Sequence, residues 1–214
     1  MTSPIYPPWA NTVYRSAIAA LVLGVASLVV APMLYARTPY NTSQFVPWEQ
    51  PVEFDHRHHV RDDGIDCLYC HSAAQRSASA GVPTTGVCMG CHAQIWNTSP
   101  LLEKVRRSYF SGTPLNWKRV HDLPDHVYFD HSVHVTRGIA CDNCHGDVGK
   151  MPRVMQVQPM TMGWCIDCHR DSASRVVPRS IPANTWKASL EMMSDWPSEH
   201  REITALITCS ACHR

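Results

Sequence analysis

The chain has 214 residues, with 19 Lys and Arg against 18 Asp and Glu and a formal net charge of +1 at pH 7. This near-neutral balance, with no basic run or stacking platform, excludes a nucleic-acid binder. The 16 Pro and 10 Gly spread along the chain exclude a large aliphatic core, and no pattern supports an extensive sheet.

The first predicted element is apolar. Residues 16–34 carry no charge and would form a helix of about 28 Å, enough to span a bilayer core. Arg15 and Arg37 bracket it, and Met33, Leu34, Tyr35 and Ala36 make a poor small-x-small cleavage site, so the segment reads as a retained anchor. Tyr6, Trp9 and Tyr14 before it, and Tyr35, Tyr40, Phe45 and Trp48 after it, suit interfacial belts. The expected layout is a cytoplasmic N-terminus (1–15), a transmembrane anchor (16–36) and a linker (37–49).

Beyond the linker, all ten cysteines fall into five Cys-x-x-Cys-His units. They are Cys67/Cys70/His71, Cys88/Cys91/His92, Cys141/Cys144/His145, Cys165/Cys168/His169 and Cys209/Cys212/His213, called sites 1 to 5 below. In this signature both thiols form thioethers to haem vinyl groups and the histidine supplies the proximal iron ligand. Zinc ribbons and disulfide frameworks also use paired cysteines, but neither requires a histidine after every pair. With 13 His in the chain, five at set positions by chance is on the order of one in a million, so five covalent haem c groups are expected. Covalent haem attachment occurs on the exported side. The chain is therefore expected in the cell (inner) membrane as a single-pass protein with its haem domain on the periplasmic or outer side. Each haem adds two propionates, which suits an Arg excess over Lys of 15 to 4.

A repeat organises the haem region. Phe54-Asp55-His56-x-x-His59-Val60, followed by Gly64-Ile65-x-Cys67, matches Phe129-Asp130-His131-x-x-His134-Val135, followed by Gly138-Ile139-x-Cys141, with one residue of length difference. This predicts dihaem modules at 50–98 and 121–172, a connector at 99–120 and a C-terminal single-haem segment at 173–214. In the connector, Ser99-Pro100 should open a helix through about Arg107, and helices at 184–196 and 198–207 should be broken by Pro197. In a helical turn the i and i+3 imidazoles share one side and can serve two adjacent irons.

These units resemble the small multihaem cytochromes of the c3 and c7 type. The resemblance implies a mostly irregular fold with short α-helices, built of dihaem modules on the one N-terminal transmembrane helix. It also implies that His56 and His131 ligate the haems of sites 1 and 3, while His59 and His134 serve the second haem of each module. For the fifth distal ligand His121, His126, His200 and several methionines remain, led by His121 and Met162. His121 lies ten residues before His131 with Pro124 between them, and Met162 could project from beside Cys165 onto an adjacent haem.

Longer motifs are more specific. Val46-Pro47-Trp48-Glu49-Gln50-Pro51, Ala80-Gly81-Val82-Pro83, Asn116-Trp117-Lys118-Arg119-Val120-His121 and Thr161-Met162-Gly163-Trp164 look like the pentahaem cytochrome c component of alternative complex III. That resemblance covers most of residues 38–172. It implies an electron carrier, not an enzyme, within a quinol:acceptor oxidoreductase. Electrons would enter from an iron-sulfur subunit beside quinol-binding membrane subunits, and leave to a monohaem cytochrome c, a soluble cytochrome, a copper protein or an oxidase. The chain departs from the family pattern at His126, where an aromatic residue often stands, and this weighs against His126 as a ligand. The alternative is a membrane-anchored multihaem quinol dehydrogenase of the NapC/NrfH kind. Its first site typically has a nearby Met after the histidine, whereas His71 here is followed by Ser72-Ala73-Ala74-Gln75.

Overall fold

The computed structural model describes residues 6–177, 181–183 and 206–213. The helices expected at 184–196 and 198–207, and His200 with them, fall almost wholly outside the described residues. The chain divides into two units, Met1–Gln44 and Phe45–Arg214.

In the first unit one helix of 27 residues, Ala10–Ala36, runs about 40 Å. It starts six residues earlier than expected, because the Ala10 N–H already turns back onto Pro7 O at 3.0 Å. None of its residues is buried. Its length, with an 18-residue stretch of mean hydropathy 2.5, makes it long and apolar enough to cross a membrane. The Ser27 hydroxyl is satisfied within the helix by donating to Leu23 O at 2.7 Å. At the C-terminus the Thr38 hydroxyl donates to Tyr35 O at 2.7 Å and the Asn41 amide to Ala36 O at 3.3 Å, which helps to satisfy the last carbonyls of the helix.

The second unit consists of short helical turns and loops, and among the described residues its only β pairing is an isolated antiparallel bridge between Ile139 and Val176. Two small apolar clusters hold it. One joins Val52, Met89 and Val105 to Cys88, Leu102, Leu115 and Trp117. The other joins Ala74, Val135, Ala140, Val177 and Ala183 to Cys67, Leu68 and Cys141. Each cluster therefore includes attachment cysteines, so core and sites are built from the same residues.

The connector shows how local signals set the first cluster. The Ser99 hydroxyl accepts from Leu101 N–H and opens a 3-10 turn, Pro100–Leu102, that runs into the helix Glu103–Ser111. Glu103 pairs with Arg106 at 2.9 Å and Arg107 at 3.3 Å. The helix passes the expected end at Arg107 and stops where Gly112 takes φ +68°. It presents Val105 to Met89, and so fixes the helix Thr85–His92 that carries site 2.

The two repeat units differ in one instructive way. His131–Thr136 is α-helical, whereas Arg57–Asp62 is a π-helix with His56 at its N-cap. The extra residue of the first copy sits between Val60 and Gly64, and widening the helical turn absorbs it. The Asp63 N–H accordingly donates five residues back to His58 O at 3.0 Å. Both copies then end on a left-handed glycine, Gly64 at φ +68° and Gly138 at +81°.

Candidate haem centres

Each Cys-x-x-Cys pair lies on a helical turn, which puts both sulfurs on one side. Asp66 caps site 1 by accepting from Leu68 N–H at 2.8 Å, and Thr161 caps the helix Met162–Arg170 of site 4 by accepting from Trp164 N–H at 3.4 Å. None of the ten cysteines is in a disulfide, and among the described residues no group of three or more His, Cys, Asp or Glu is gathered as a structural zinc site requires.

Six of the histidines share one device. A backbone carbonyl can only accept, so an imidazole bonded to it through Nδ1 must donate there, which leaves the Nε2 lone pair for a metal. His71 Nδ1 donates to Gly81 O at 3.0 Å, His92 to Ile95 O at 3.0 Å and His213 to His126 O at 3.0 Å. In the repeat units, His59 donates to Asp55 O at 3.0 Å, His134 to Asp130 O at 2.8 Å and His131 to Ala78 O at 2.8 Å. Burial pushes His56 down to about 4 and His145 down to about 3, so both stay neutral and able to ligate near pH 7. Nδ1 of His56 is buried without a partner.

The imidazoles are also spaced for iron. A histidine nitrogen binds a metal at about 2.0 Å and lies roughly 1.1 Å from its ring centre, so two rings on opposite sides of one ion stand about 6.2 Å apart. His59 and His92 are 6.1 Å apart, His131 and His145 6.2 Å, and His134 and His169 6.0 Å. His56 lies close enough to His71 for that ring's charge to lower its pKa further. The residues present therefore fit a haem iron at these positions.

Phe54 and Phe129 had no assigned role in the sequence. Phe54 stacks on His59 at 4.5 Å and meets His56 edge-on at 4.7 Å. Phe129 does the same to His134 at 4.6 Å and His131 at 4.7 Å. Each ring thus fixes the planes of two imidazoles at once. The available signal was the position itself, two residues before the first histidine in both copies.

The attachment turns do not follow one another in space as in sequence. Burial and the nearby sulfurs of Cys88 and Cys91 push the Cys70 thiol up, which sets site 1 beside site 2. A hydrogen bond between Cys67 and Cys141, with burial behind it, pushes the Cys141 thiol up and joins site 1 to site 3. The loop 77–81 is the strut of that junction, since Gly81 O holds His71 while Ala78 O takes His131. Burial, then the sulfurs of Cys168 and Cys165, push Cys144 up to about 12, which places site 3 against site 4. Cys165 in turn faces Cys212 of site 5. The spatial order is 2, 1, 3, 4, 5.

The remaining ligand candidates separate clearly. His121 lies edge-on against His145 with ring centres 4.3 Å apart, and its Nε2 is buried without a partner. Met162 is 67% exposed at the start of its helix. His126 faces His213, with ring centres 5.6 Å apart and planes 22° from parallel.

Residues 127–214 match the family described as cytochrome c7 and related cytochrome c. The multihaem cytochrome c subunit of menaquinone reductase from Nitratidesulfovibrio vulgaris is 30% identical over 176 residues, covering 78% of this chain and 77% of that protein. With its attachment turns, paired imidazoles and short-helix fold, the chain belongs to the multihaem c-type cytochromes, which bind haem c covalently.

Proposed function

We propose that the chain is the electron-relay component of a quinone-reactive membrane complex, with five haem c groups and no substrate chemistry of its own. The observation that carries this is the pairing of imidazoles at about 6 Å along contiguous attachment turns. His56 with His71, His59 with His92, His131 with His145 and His134 with His169 give each of four irons two protein ligands, which leaves no position for oxygen or a substrate. Haem iron supplies the one-electron ferric/ferrous couple. The chain keeps His56 and His145 neutral by burial, fixes the tautomers of six histidines through backbone carbonyls and sets the planes of four with Phe54 and Phe129. The small size of both apolar clusters supports porphyrins as the main filling of the haem domain, organised as dihaem modules at 50–98 and 121–172 and a single-haem segment at 173–214.

The helix Ala10–Ala36 anchors the chain in the inner membrane as a single pass, with the haem domain on the periplasmic side. The resemblance to the pentahaem component of alternative complex III supports, as donors, quinol-binding membrane subunits with an iron-sulfur subunit. It supports a monohaem cytochrome c, a soluble cytochrome, a copper protein or an oxidase as acceptor. The relative's description as part of a menaquinone reductase favours a second reading in which electrons run toward the quinone. Purification of the native complex in mild detergent tests both. Co-purification of an iron-sulfur subunit, with haem reduction by menaquinol, supports outward flow, and haem oxidation by menaquinone supports inward flow. Quinol oxidation by the isolated chain would instead make it a quinol dehydrogenase in its own right.

A further inference from the structure

The segment 126–128 is fastened to site 5 at two points. His213 Nδ1 donates to His126 O at 3.0 Å, and Tyr128 N–H donates to Cys212 O at 2.8 Å. The segment is held at its other end by a turn in which Val127 N–H donates to Pro124 O at 2.9 Å. The first of these bonds joins residues 87 positions apart, and together they set the His126 ring against His213.

We propose that His126 is the distal axial ligand of the haem attached at Cys209 and Cys212, opposite His213. This rests on reading the fifth motif as a haem site. The His126–His213 ring separation of 5.6 Å is a few tenths of an ångström below those of the three spaced pairs, at 6.0, 6.1 and 6.2 Å. The carbonyl that fixes the His213 tautomer is His126's own, so ligand and tautomer lock come from one residue. The two leading competitors, His121 and Met162, are placed elsewhere. The ring centre of His121 is only 4.3 Å from that of His145, too close to stand across an iron from it, and Met162 opens the helix that carries site 4. His126, His131 and His134 then lie within one run of nine residues and serve sites 5, 3 and 4, so a single short segment ties three haems together.

The test uses the full chain, matured with haem and purified in detergent, in the wild type and as His126→Ala and His126→Met. Haem number comes from intact mass. Ligation is read from carbon monoxide binding to the reduced protein, the electron paramagnetic resonance spectrum of the oxidised protein and a potentiometric titration. In His126→Ala all haems stay attached and one of them becomes carbon monoxide-reactive and high spin. In His126→Met that haem stays low spin, gains a near-infrared methionine-to-iron band and shifts to higher potential. The methionine variant decides alone where the alanine variant does not accumulate. Unchanged spectra and potentials with five haems attached overturn the ligand assignment while leaving the five-haem reading intact. Appearance of the high-spin haem in Met162→Leu instead also overturns it. Four haems in the wild type, with site 5 unmodified, defeat the five-haem reading and this proposal together.

Discussion

The two repeat glycines offer a paired experiment in which backbone and packing costs separate. Gly64 and Gly138 occupy the same position after their helical turns, both with positive φ, so an alanine at either costs about 1–2 kcal/mol for the left-handed backbone. A Cβ on Gly64 would meet nothing within 4 Å. A Cβ on Gly138 would collide with Val177 O and lie 3.3 Å from Val176 Cγ1. To relieve this the Val176–Val177 segment must move away, which breaks the 2.7 Å bond from Val177 N–H to Gly138 O, about 1 kcal/mol. It also draws the 1%-exposed Val177 from its cluster, roughly 1.5–3 kcal/mol if fully lost. Gly138→Ala should therefore cost about 3.5–6 kcal/mol in total, against about 1–2 for Gly64→Ala. Guanidinium unfolding of the haem-loaded chain, followed by haem absorbance and tryptophan emission, gives the two midpoints and slopes. Equal midpoint shifts in the two variants would refute the packing argument and leave only the backbone cost.

Further outcomes are expected. Intact mass of denatured, purified protein should show five covalent haem additions, and four when Cys88→Ser and Cys91→Ser are combined at site 2; five additions in that double variant would disprove attachment there. His131→Met should raise one haem potential without loss of attachment, and five unchanged potentials would sink the pairing of His131 with His145. Phe129→Ala removes two ring contacts worth about 0.5–1.5 kcal/mol each, so it should lower stability by about 1–3 kcal/mol and broaden the low-spin signals of the haems at sites 3 and 4, measured by paramagnetic resonance. Broadening at sites 1 and 2 instead would contradict the contacts described for Phe129.

Much of the fold was legible because its signals are local. The attachment motifs, the Phe-Asp-His repeat and the Ser99-Pro100 helix start each occupy a few adjacent residues. The short-helix, multihaem character follows from them. The helix end at Gly112 was also readable, since glycine is the usual left-handed stop, but the expected boundary at Arg107 did not use it. What the sequence hid are meetings across long separations. Nothing in periodicity pairs Cys67 with Cys141, aims Ala78 O at His131 or brings residues 126–128 to site 5. His121 and Met162 were favoured on spacing along the chain, whereas the ring that faces His213 is that of His126, five residues before His131. The N-terminal helix began early for a similar reason, because apolarity marks a membrane-spanning stretch but not where helical hydrogen bonding starts.

The π turn at Arg57–Asp62 has a consequence for how such a duplicated chain can drift. An inserted residue in a loop between the second histidine and the attachment turn would slide one against the other and spoil ligand reach. Placed inside the helical turn, the same residue becomes a local bulge that leaves His56, His59 and Gly64 at their stations. Length variation between copies is thus tolerated at one spot, just after the second histidine, where the helix has slack. Removal of one of Asp62 or Asp63 should return the first copy to the α form of the second, making the two modules interchangeable in register.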